Sequence, residues 1–396
     1  MSTLELGVIG NCAIASLVNR LGRHVWHGFG RLDGDPIFNA LLGGTEPASG
    51  FMEAEVAGAR EGRQRYLPNT AILETIVEGP SGTVRLVDFA PRFRRFGRMF
   101  RPPMLVRRME PIAGRPRMTI RLRPTFNYGS LKPAITSGSN HARFVGDAAA
   151  IRLTTDGSIT HVLHETEFTL DRPITMFVGA DESLTENPDS LSRTFLAETE
   201  AYWHTWVRDL NIPFDWQAAV IRAAITLKLC SFEDTGAVLA ALTTSVPEAA
   251  GTPRTWDYRF SWLRDSFFTV TALNRLSATR TMEGFVRFIV DIVEAGSSRG
   301  EPDAIAPLFP IAPGTATEEK LIDSLPGYRG YGPVRTGNAD VIQRQNDTYG
   351  SMVMTAAQMF WDERLPRHGD IELYRQLCVV GNEAHRAALT PDAGLW

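Results

Sequence analysis

The densest group of side chains that could do chemistry lies between Trp256 and Asp265, in the stretch TWDYRFSWLRDSFF. These ten residues include two Trp, one Tyr, one Phe, two Arg and two Asp. Aromatic rings stack on the C–H faces of sugars, and Arg and Asp side chains make directed hydrogen bonds to hydroxyl groups. The residue types therefore indicate a sugar-binding site.

The pair Arg264 and Asp265 stands directly before an apolar stretch that contains Phe267, Phe268 and Val270. If this stretch is a helix, Asp265 lies near the positive end of its dipole, where a carboxylate is favoured. A purely structural role is the alternative, with Asp265 as a first-turn charge and Arg264 as its surface partner. Composition leaves both interpretations open.

The stretch WDYRFSWLRDSFFTVTAL resembles the signature of glycoside hydrolase family 15, which comprises glucoamylases, glucodextranases and bacterial trehalases. Flanking segments are also similar to segments of this family, in the same order along the chain. They are GVIGNCAIASLVNRLGRHVWHGFGRLDGDPIFNALLGG, TGAVLAALTTSVPE and LPGYRGYGPVRTGNADVIQRQNDTYG. The resemblance therefore covers the whole sequence rather than one motif.

The resemblance implies an N-terminal β-sandwich, a linker helix and an incomplete (α/α)6 barrel, about half of the toroid. It also implies an inverting α-glucoside hydrolase, which acts on the non-reducing terminal α-glucose of trehalose or an α-glucan. In that mechanism one carboxylic acid protonates the glycosidic oxygen, and a carboxylate about 6.5–9.5 Å away activates water. Neither a cofactor nor a metal is expected.

The family's site residues carry over to this sequence by position. Arg264 and Asp265 match the pair that holds the outer hydroxyls of the glucose. The residues expected to bind substrate are Tyr258, Trp262, Arg264, Asp265, Leu395 and Trp396, together with Arg335 and Asn338 in a loop expected to face the pocket. The general acid is expected directly after Trp396 and the general base further on, so we expect no catalytic residue within this chain.

The sequence departs from the family pattern in two places. Ser261 stands where bacterial members often have Cys. The segment RHVWHGFGRLDGDP places His24 and His27 where relatives are more apolar and aromatic. Because this segment is expected to reach toward the pocket, the departure predicts an altered substrate preference.

Three parts are predicted from the residue patterns: a β domain at 1–187, a linker helix at 188–214 and a helical domain at 215–396. In the first part, GPSG joins two alternating stretches into a hairpin, and Gly114-Arg115-Pro116 is expected to do the same for its neighbours. From residue 215, with Asp215 as a plausible N-cap, apolar residues recur with a period near 3.6. The predicted helical stripes begin at Val220, Met282, Tyr349 and Ile371.

The net charge, the cysteines and the remaining motifs give little indication of nucleic acid, membrane or metal as a further partner. The net charge of −4 gives no global case for nucleic acid or an anionic membrane. Three widely spaced cysteines, no signal peptide and no long apolar run suggest a cytoplasmic protein. The scattered histidines match no metal-binding pattern. The carboxylates Glu301, Asp303, Asp347 and Asp392 are interpreted as loop or near-terminal groups, with turn chemistry favoured at the two Pro-Asp pairs.

The stretch APRFRRFGRMFRPP interleaves arginines with Phe and Met, which could bind single-stranded nucleic acid. A solvated loop is the favoured alternative, because the rest of the chain is acidic. We therefore expect neither nucleic acid nor a membrane as a partner, whereas a homo-oligomer is conceivable.

Two functions from different classes remain open. The first is an inverting α-glucoside hydrolase, present here as a fragment without its catalytic carboxylates. The second is a catalytically inactive sugar-binding or structural remnant of such an enzyme. Half of a toroid would expose the inner apolar faces of its helices, at about 1.5–3 kcal/mol for each large side chain. The isolated chain is therefore expected to be poorly stable or prone to aggregation.

Overall fold

A computed structural model describes residues 3–298, 305–365 and 367–394 of the chain. The chain forms two compact units. The first unit contains Met1–Arg208, Ser245–Thr255 and Ile322–Val334. The second contains Asp209–Thr244, Trp256–Leu321 and Arg335–Trp396.

Two antiparallel sheets form the body of the first unit. The larger sheet has eight strands, in the order Ala134–Ser137, His141–Val145, Ala150–Thr155, Ile174–Ala180, Met104–Gly114, Gly82–Phe89, Leu73–Gly79 and Gly62–Tyr66. The other has seven, in the order Gly7–Gly10, Ala15–Val18, His24–Gly28, Phe51–Val56, Arg117–Arg123 and Phe168–Thr169, with Pro36–Phe38 beside His24–Gly28.

Both sheets contribute side chains to one apolar core. Ile9, Met52 and Ile120 enter it from the seven-stranded sheet, and Leu86 and Met109 enter it from the eight-stranded sheet. Alternate residues of each strand can face this core because successive strand side chains point to opposite faces. The β-rich first part predicted from the sequence is confirmed.

One of the two predicted hairpins is confirmed and the other is wrong. Leu73–Gly79 and Gly82–Phe89 pair with Gly79 opposite Gly82, as the GPSG turn predicts. By contrast, Met104–Gly114 pairs within the eight-stranded sheet, and Arg117–Arg123 pairs with Phe51–Val56 in the other sheet. A register shift after Pro111 and a positive φ at Gly114 let the chain change sheets, because a bulge bends the strand away from its partner.

The first unit also contains two helices, α1 (Ile159–Leu163) and α2 (Pro188–Arg208). Helix α2 buries Leu191 and Phe195 in an apolar cluster with Phe177 of the eight-stranded sheet. Arg108 of this sheet donates to the carboxylate of Asp189 at 3.0 Å, near the start of α2. Helix α2 is thus fastened to the sheet by both apolar and ionic contacts, and the linker role predicted for 188–214 stays a prediction.

Five α-helices lie in the second unit's described residues: α3 (Gln217–Leu229), α4 (Leu263–Arg275), α5 (Thr279–Ser298), α6 (Asp347–Ala356) and α7 (Ile371–Ala387). The four predicted helical stripes coincide with α3, α5, α6 and α7. Its short strands include Ser231–Phe232 paired with Ala237–Val238 and Ser261–Trp262 paired with Leu308–Phe309. Other short elements of the chain are Ala40–Leu42, Gly43–Gly44, Phe93–Arg95, Arg98–Phe100, Lys320–Ile322, Gly327–Tyr328, Val334–Thr336, Ala339–Ile342 and Ala357–Phe360.

Two local expectations for these helices are wrong. The N-cap of α3 is Trp216, in the left-handed conformation and without a side-chain cap, rather than Asp215. The predicted stripe of α7 lies largely in solvent, because Ile371 and Tyr374 are 63% and 56% exposed. The buried residues of α7 are Val380, Glu383 and Ala387. An apolar face of this helix is thus uncovered in the described part of the chain.

No helix in the described ranges combines the length and the apolar character needed to cross a bilayer.

Candidate sugar-binding site

The site begins where a short strand turns into helix α4. Strand Ser261–Trp262 pairs with Leu308–Phe309, and the N–H of Leu263 donates to the carbonyl of Pro307 at 3.1 Å. These bonds fix the point at which α4 begins. Arg264 and Asp265 are consequently the second and third residues of the helix, as the apolar stretch behind them predicts.

Arg264 joins this helix start to the start of a second helix. Its Nη1 donates to Asp347 Oδ2 at 3.0 Å and to Gln345 Oε1 at 3.0 Å. Asp347 is the first residue of α6, so it also lies at the positive end of a helix dipole. The arrangement brings one guanidinium together with carboxylate and amide oxygens at two helix N-termini.

A chain of side-chain hydrogen bonds leads away from Arg264. Gln345 Nε2 donates to Gln343 Oε1 at 3.2 Å, and Gln343 Nε2 donates to Asp340 Oδ1 at 2.6 Å. Burial raises the pKa of Asp340, and the nearby carboxylate of Glu319 adds to this effect. Because each amide has a defined donor and acceptor partner, the network fixes the orientation of Gln345 and, through it, of Arg264.

Asp265 is a partly dehydrated carboxylate in the first turn of α4. Its pKa is raised, chiefly because neighbouring protein atoms reduce the hydration of the carboxylate, and further because Asp347 is close. The positive charge of Arg264 opposes the rise. The residue is nevertheless exposed in the described chain, so a ligand hydroxyl can reach a carboxylate that is only partly solvated.

The two predicted aromatic residues have different environments. Trp262 is 2% exposed and lies in an apolar cluster with Phe260 and Leu308. Tyr258 is half-buried, and its ring centroid lies 5.6 Å from that of Trp262 with a tilt of 44°. Trp262 thus has almost no exposed face for stacking on a sugar. Its ring instead packs against the ring of Tyr258.

The second Arg/Asp pair of the signature is structural. Arg259 Nε donates to Asp257 Oδ1 at 2.9 Å, and Arg259 Nη2 donates to Asp257 Oδ2 at 2.7 Å. Both side chains are almost fully buried. A two-pronged, desolvated pair of this kind holds the backbone in place and leaves little capacity for a substrate.

The loop residues Arg335 and Asn338 are placed by protein contacts. Arg335 Nη1 donates to Glu319 Oε1 at 2.5 Å, and its guanidinium lies 4.8 Å from the ring centre of Trp256. Asn338 is buried, donates to the carbonyl of Asp257 at 3.1 Å and accepts from the N–H of Asp340 at 2.9 Å. With both ends of its amide engaged, Asn338 is suited to shaping the loop.

The segment that leads to Leu395 and Trp396 is tied to the same region. Asn346, which precedes Asp347, donates its N–H to Asp392 Oδ2 at 2.8 Å and its side-chain amide to the carbonyl of Thr390 at 3.0 Å. Asp392 also accepts from the N–H of Gly394 at 2.9 Å, so its carboxylate has the turn role favoured by the sequence. Leu395 and Trp396 themselves lie outside the described residues.

The histidines of the N-terminal segment do not lie on a surface. His24 and His27 are both buried in the first unit, where His24 Nδ1 lies 2.8 Å from Ser16 Oγ and His24 Nε2 lies 3.2 Å from Asp88 Oδ1. Burial and these contacts give both histidines a structural role, and the reach of this segment toward the pocket stays a prediction. The strand pairs Leu17 with Trp26 and Val18 with His24, and this register shift lets the rings of both histidines lie near the ring of Phe38.

No group of three or more His, Cys, Asp or Glu side chains in the described residues is arranged to hold a metal ion.

Sequence reasoning missed Gln343, Gln345 and the ionic role of Asp347. Gln345 and Asp347 flank Asn346 in the segment QRQNDTYG, which was noted only for its family resemblance. A usable signal was present: Asp347 precedes an apolar helical stripe that begins at Tyr349, the same pattern that singled out Asp265. The patterns around Asp265 and Asp347 each predict a helix start. They do not predict that these two starts lie next to each other, because that depends on tertiary packing.

Comparisons with known proteins identify a similar family, similar sequences and a similar fold. Residues 215–396 match the model of Glycosyl hydrolases family 15. A trehalase of Mycolicibacterium smegmatis is 28% identical over 99% of this chain, and a trehalase of Thermoplasma volcanium is 30% identical over 89% of it. A bacterial glucoamylase solved in complex with acarbose covers 97% of this chain with a TM-score of 0.58 at 12% identity, a likeness of fold alone.

The chain spans only part of these relatives: 62% of the first trehalase, 56% of the second and 58% of the glucoamylase. The residues that match the family model nevertheless include strand Ser261–Trp262, the starts of α4 and α6, and the segment around Thr390 and Asp392 that bonds to Asn346. In residues 215–396 the chain therefore matches glycosyl hydrolase family 15, the family that its sequence resembles.

Proposed function

We propose that the second unit binds the non-reducing terminal α-glucose of trehalose or an α-glucan, within an inverting α-glucoside hydrolase. The observation that carries the proposal is the convergence of Arg264, Asp265, Gln345 and Asp347 at two helix starts. Sugar hydroxyls donate and accept hydrogen bonds at once, so a guanidinium beside carboxylate and amide oxygens matches adjacent hydroxyls. Tyr258 supplies a partly open aromatic surface within the signature.

Within this proposal the residues have separate roles. Asp265 accepts hydrogen bonds from the glucose, while Arg264 donates to a hydroxyl and is oriented by Asp347 and Gln345. Trp262 and Asn338 position the surrounding backbone, and Arg335 acts on the loop that bears Trp256. Leu395 and Trp396 line the same subsite on the strength of the family resemblance.

The catalytic carboxylates belong to the same proposal. The resemblance places the general acid directly after Trp396 and the general base further on, and residues 215–396 then form about half of an (α/α)6 barrel. Under this proposal residues 1–396 bind the sugar but do not hydrolyse it, because each acid–base group commonly contributes about 10²–10⁴-fold to the rate. The exposed apolar residues of α7 support this arrangement of helices.

The alternative is a catalytically inactive sugar-binding or structural remnant. A ligand panel with residues 1–396 tests the sugar-binding claim common to the enzyme and a sugar-binding remnant. Saturation-transfer NMR should detect trehalose, maltose and isomaltose but not the β-linked cellobiose. Equal signals for cellobiose, or none for any α-glucoside, would contradict the proposed subsite. Glucose release from trehalose by residues 1–396 would contradict the placement of both carboxylates outside them.

A further inference from the structure

The first unit carries an unusual hairpin, made of strands Phe93–Arg95 and Arg98–Phe100. The residues that join the strands, Phe96 and Gly97, have φ values of 49° and 75°. A two-residue turn with positive φ at both positions strongly favours Asn-Gly or Asp-Gly. A bulky aromatic residue at the first position is unfavourable for the backbone. The ring of Phe96 is also 92% exposed, so burial gives no compensation.

The charges around this turn are unfavourable as well. Arg95 and Arg98 lie directly opposite each other, and like charges in that relation repel. Arg94 follows on the other face of the hairpin, since successive strand residues alternate. All three guanidinium groups are exposed, and no carboxylate in the described parts of the chain forms an ion pair with any of them. We call Arg94, Arg95, Phe96 and Arg98 the hairpin tip.

The base of the hairpin, in contrast, is firmly anchored. The ring centroids of Phe93 and Phe100 lie 4.9 Å apart, and those of Phe93 and Phe195 of α2 lie 5.3 Å apart. Phe93 is buried in an apolar cluster. A Cβ added at Gly97 would meet no atom within 4 Å, so the tip extends into open space. The Arg95 guanidinium lies 5.5 Å from the ring centre of Phe96, which offsets part of the cost of the tip. An anchored base thus presents a tip with an unfavourable turn and opposed like charges.

The other two arginines of this stretch do not belong to the tip. Arg92 is buried, donates to the carbonyl of Asn11 at 2.7 Å and stacks on Tyr202. Arg101 donates to the carbonyl of Cys12 at 3.4 Å. The basic stretch seen in the sequence therefore divides into structural arginines at the base and exposed cations without a carboxylate partner in the described residues around one exposed ring.

We infer that the hairpin tip docks on an anionic phospholipid surface. Its cations lie on both faces of the hairpin around a projecting apolar ring, so the partner must offer anions on all sides and an apolar layer beneath them. A headgroup layer has this character, and aromatic residues with flanking cations are typical of interfacial binding. A nucleic-acid strand would instead be held in a groove, which a convex turn does not form.

The chain as a whole has a net charge of −4, which an anionic bilayer would repel. The attraction must therefore come from the cations of the hairpin tip. Electrostatic attraction to a charged bilayer decays over about 10 Å at 0.1 M salt, so near cations dominate the interaction. The docking is accordingly expected to be weak, reversible and strongly dependent on salt.

Co-sedimentation of residues 1–396 with vesicles tests the inference. Partitioning should be stronger on phosphatidylcholine vesicles that contain about one third phosphatidylglycerol than on pure phosphatidylcholine, and should fall as salt is raised. Phe96→Asn should weaken partitioning about tenfold, because the ring that the lipid layer would bury is lost. The double variant Arg94→Gln/Arg98→Gln should weaken it about thirtyfold.

Matched controls separate the tip from general stickiness. Phe214 in the second unit is also 92% exposed, and Phe214→Asn should leave partitioning within about twofold of the unaltered chain. Arg60→Gln/Arg115→Gln removes the same charge from exposed sites of the first unit and should also change little. Equal partitioning on both vesicles, or equal losses for tip and control variants, would overturn the inference. So would unaltered vesicle binding in the tip variants together with lost binding to single-stranded oligonucleotides.

Discussion

Arg264 Nη1 and Asp347 Oδ2 lie 3.0 Å apart and join the first turns of α4 and α6, two helices separated by more than seventy residues of sequence. The ion pair is only partly exposed. It converts two helix N-termini, each already favourable for anions, into one polar surface with a fixed guanidinium. The proposed glucose subsite depends on this relationship.

Asp347→Asn should weaken sugar binding without removing a ligand-contacting group. The change keeps the side chain's shape but removes the charge that holds Arg264. Hydrogen bonds to charged groups contribute about 1.5–3 kcal/mol, so the dissociation constant for trehalose should rise about tenfold or more. Isothermal titration calorimetry measures this. In an Arg264→Gln background the same substitution should have little further effect, and full additivity of the two changes would argue that Arg264 and Asp347 act independently.

Trp262→Ala should destabilise the second unit. Trp262 is one of the largest fully buried side chains, and truncating a buried aromatic residue to Ala costs about 3–5 kcal/mol. Thermal unfolding at low protein concentration should show a clear decrease in the melting temperature. Trp361, which is 66% exposed, provides the matched control, and Trp361→Ala should leave the melting temperature nearly unchanged. Similar effects of the two variants would contradict the supporting role of Trp262.

Polar substitutions on α7 should reduce self-association of the isolated chain. Ile371 and Tyr374 lie on one exposed face of the helix, and exposed apolar patches promote aggregation. Ile371→Gln/Tyr374→Gln should lower light scattering while the melting temperature stays the same. Val380→Gln, at a buried position of the same helix, should instead lower the melting temperature. If residues 1–396 form a monodisperse, cooperatively unfolding monomer without substitution, the expectation is wrong.

The first unit should lose stability as pH falls below neutrality. Burial lowers the pKa of His27 to about 4, and the nearby His24 lowers it further, while its bond to the carbonyl of Ala15 opposes the shift. Because the unfolded chain takes up this proton near pH 6.5 and the folded chain resists it, stability is complete above pH 6.5. It then decreases down to about pH 4, by about 3 kcal/mol for this group alone.

Asp88 extends the same behaviour to stronger acid. Burial alone would raise its pKa, but Arg107 and His24 outweigh this effect and lower the pKa to about 2. Its contribution is therefore present above the usual Asp range near pH 3.8 and is lost as pH falls toward 2. Urea unfolding between pH 8 and pH 4 should show a smaller slope with pH for His27→Gln than for the unaltered chain. His368→Gln, at an exposed site, should follow the unaltered chain, and an unchanged slope in His27→Gln would contradict the account.

The architecture follows from the sequence where local patterns decide it. Alternation and turn residues predict the hairpin around Pro80–Ser81, and the 3.6-residue period predicts α3, α5, α6 and α7. The exchange of sheets at Gly114 could not be predicted, because the pattern of two strands around a turn is the same whether they pair with each other or with different partners. Strand pairing over long separations is a tertiary property.

The candidate site shows the same division. The family resemblance and the residue types identify Arg264 and Asp265, whose helical positions follow from the apolar stretch behind them. The burial of Trp262, Asn338 and the Asp257–Arg259 pair was not predictable, because identical residue types serve core packing and ligand contact. The contacts of His24 and His27 with Asp88, Ser16 and the backbone were likewise not predictable, because the partners lie far away in the sequence or on other strands.

Trehalose binding by Asp265→Ala, measured by titration calorimetry on residues 1–396, tests the central claim most directly. Asp265 is exposed and caps no other group in the described chain, so the substitution should leave the melting temperature nearly unchanged. Asp215→Ala is the control, since Asp215 is an exposed carboxylate of the same unit. We predict that Asp265→Ala raises the dissociation constant for trehalose at least tenfold, as expected for about 1.5–3 kcal/mol of charged hydrogen bonding, whereas Asp215→Ala does not. A dissociation constant for Asp265→Ala equal to that of the unaltered chain would contradict the assignment of Arg264 and Asp265 to the glucose subsite.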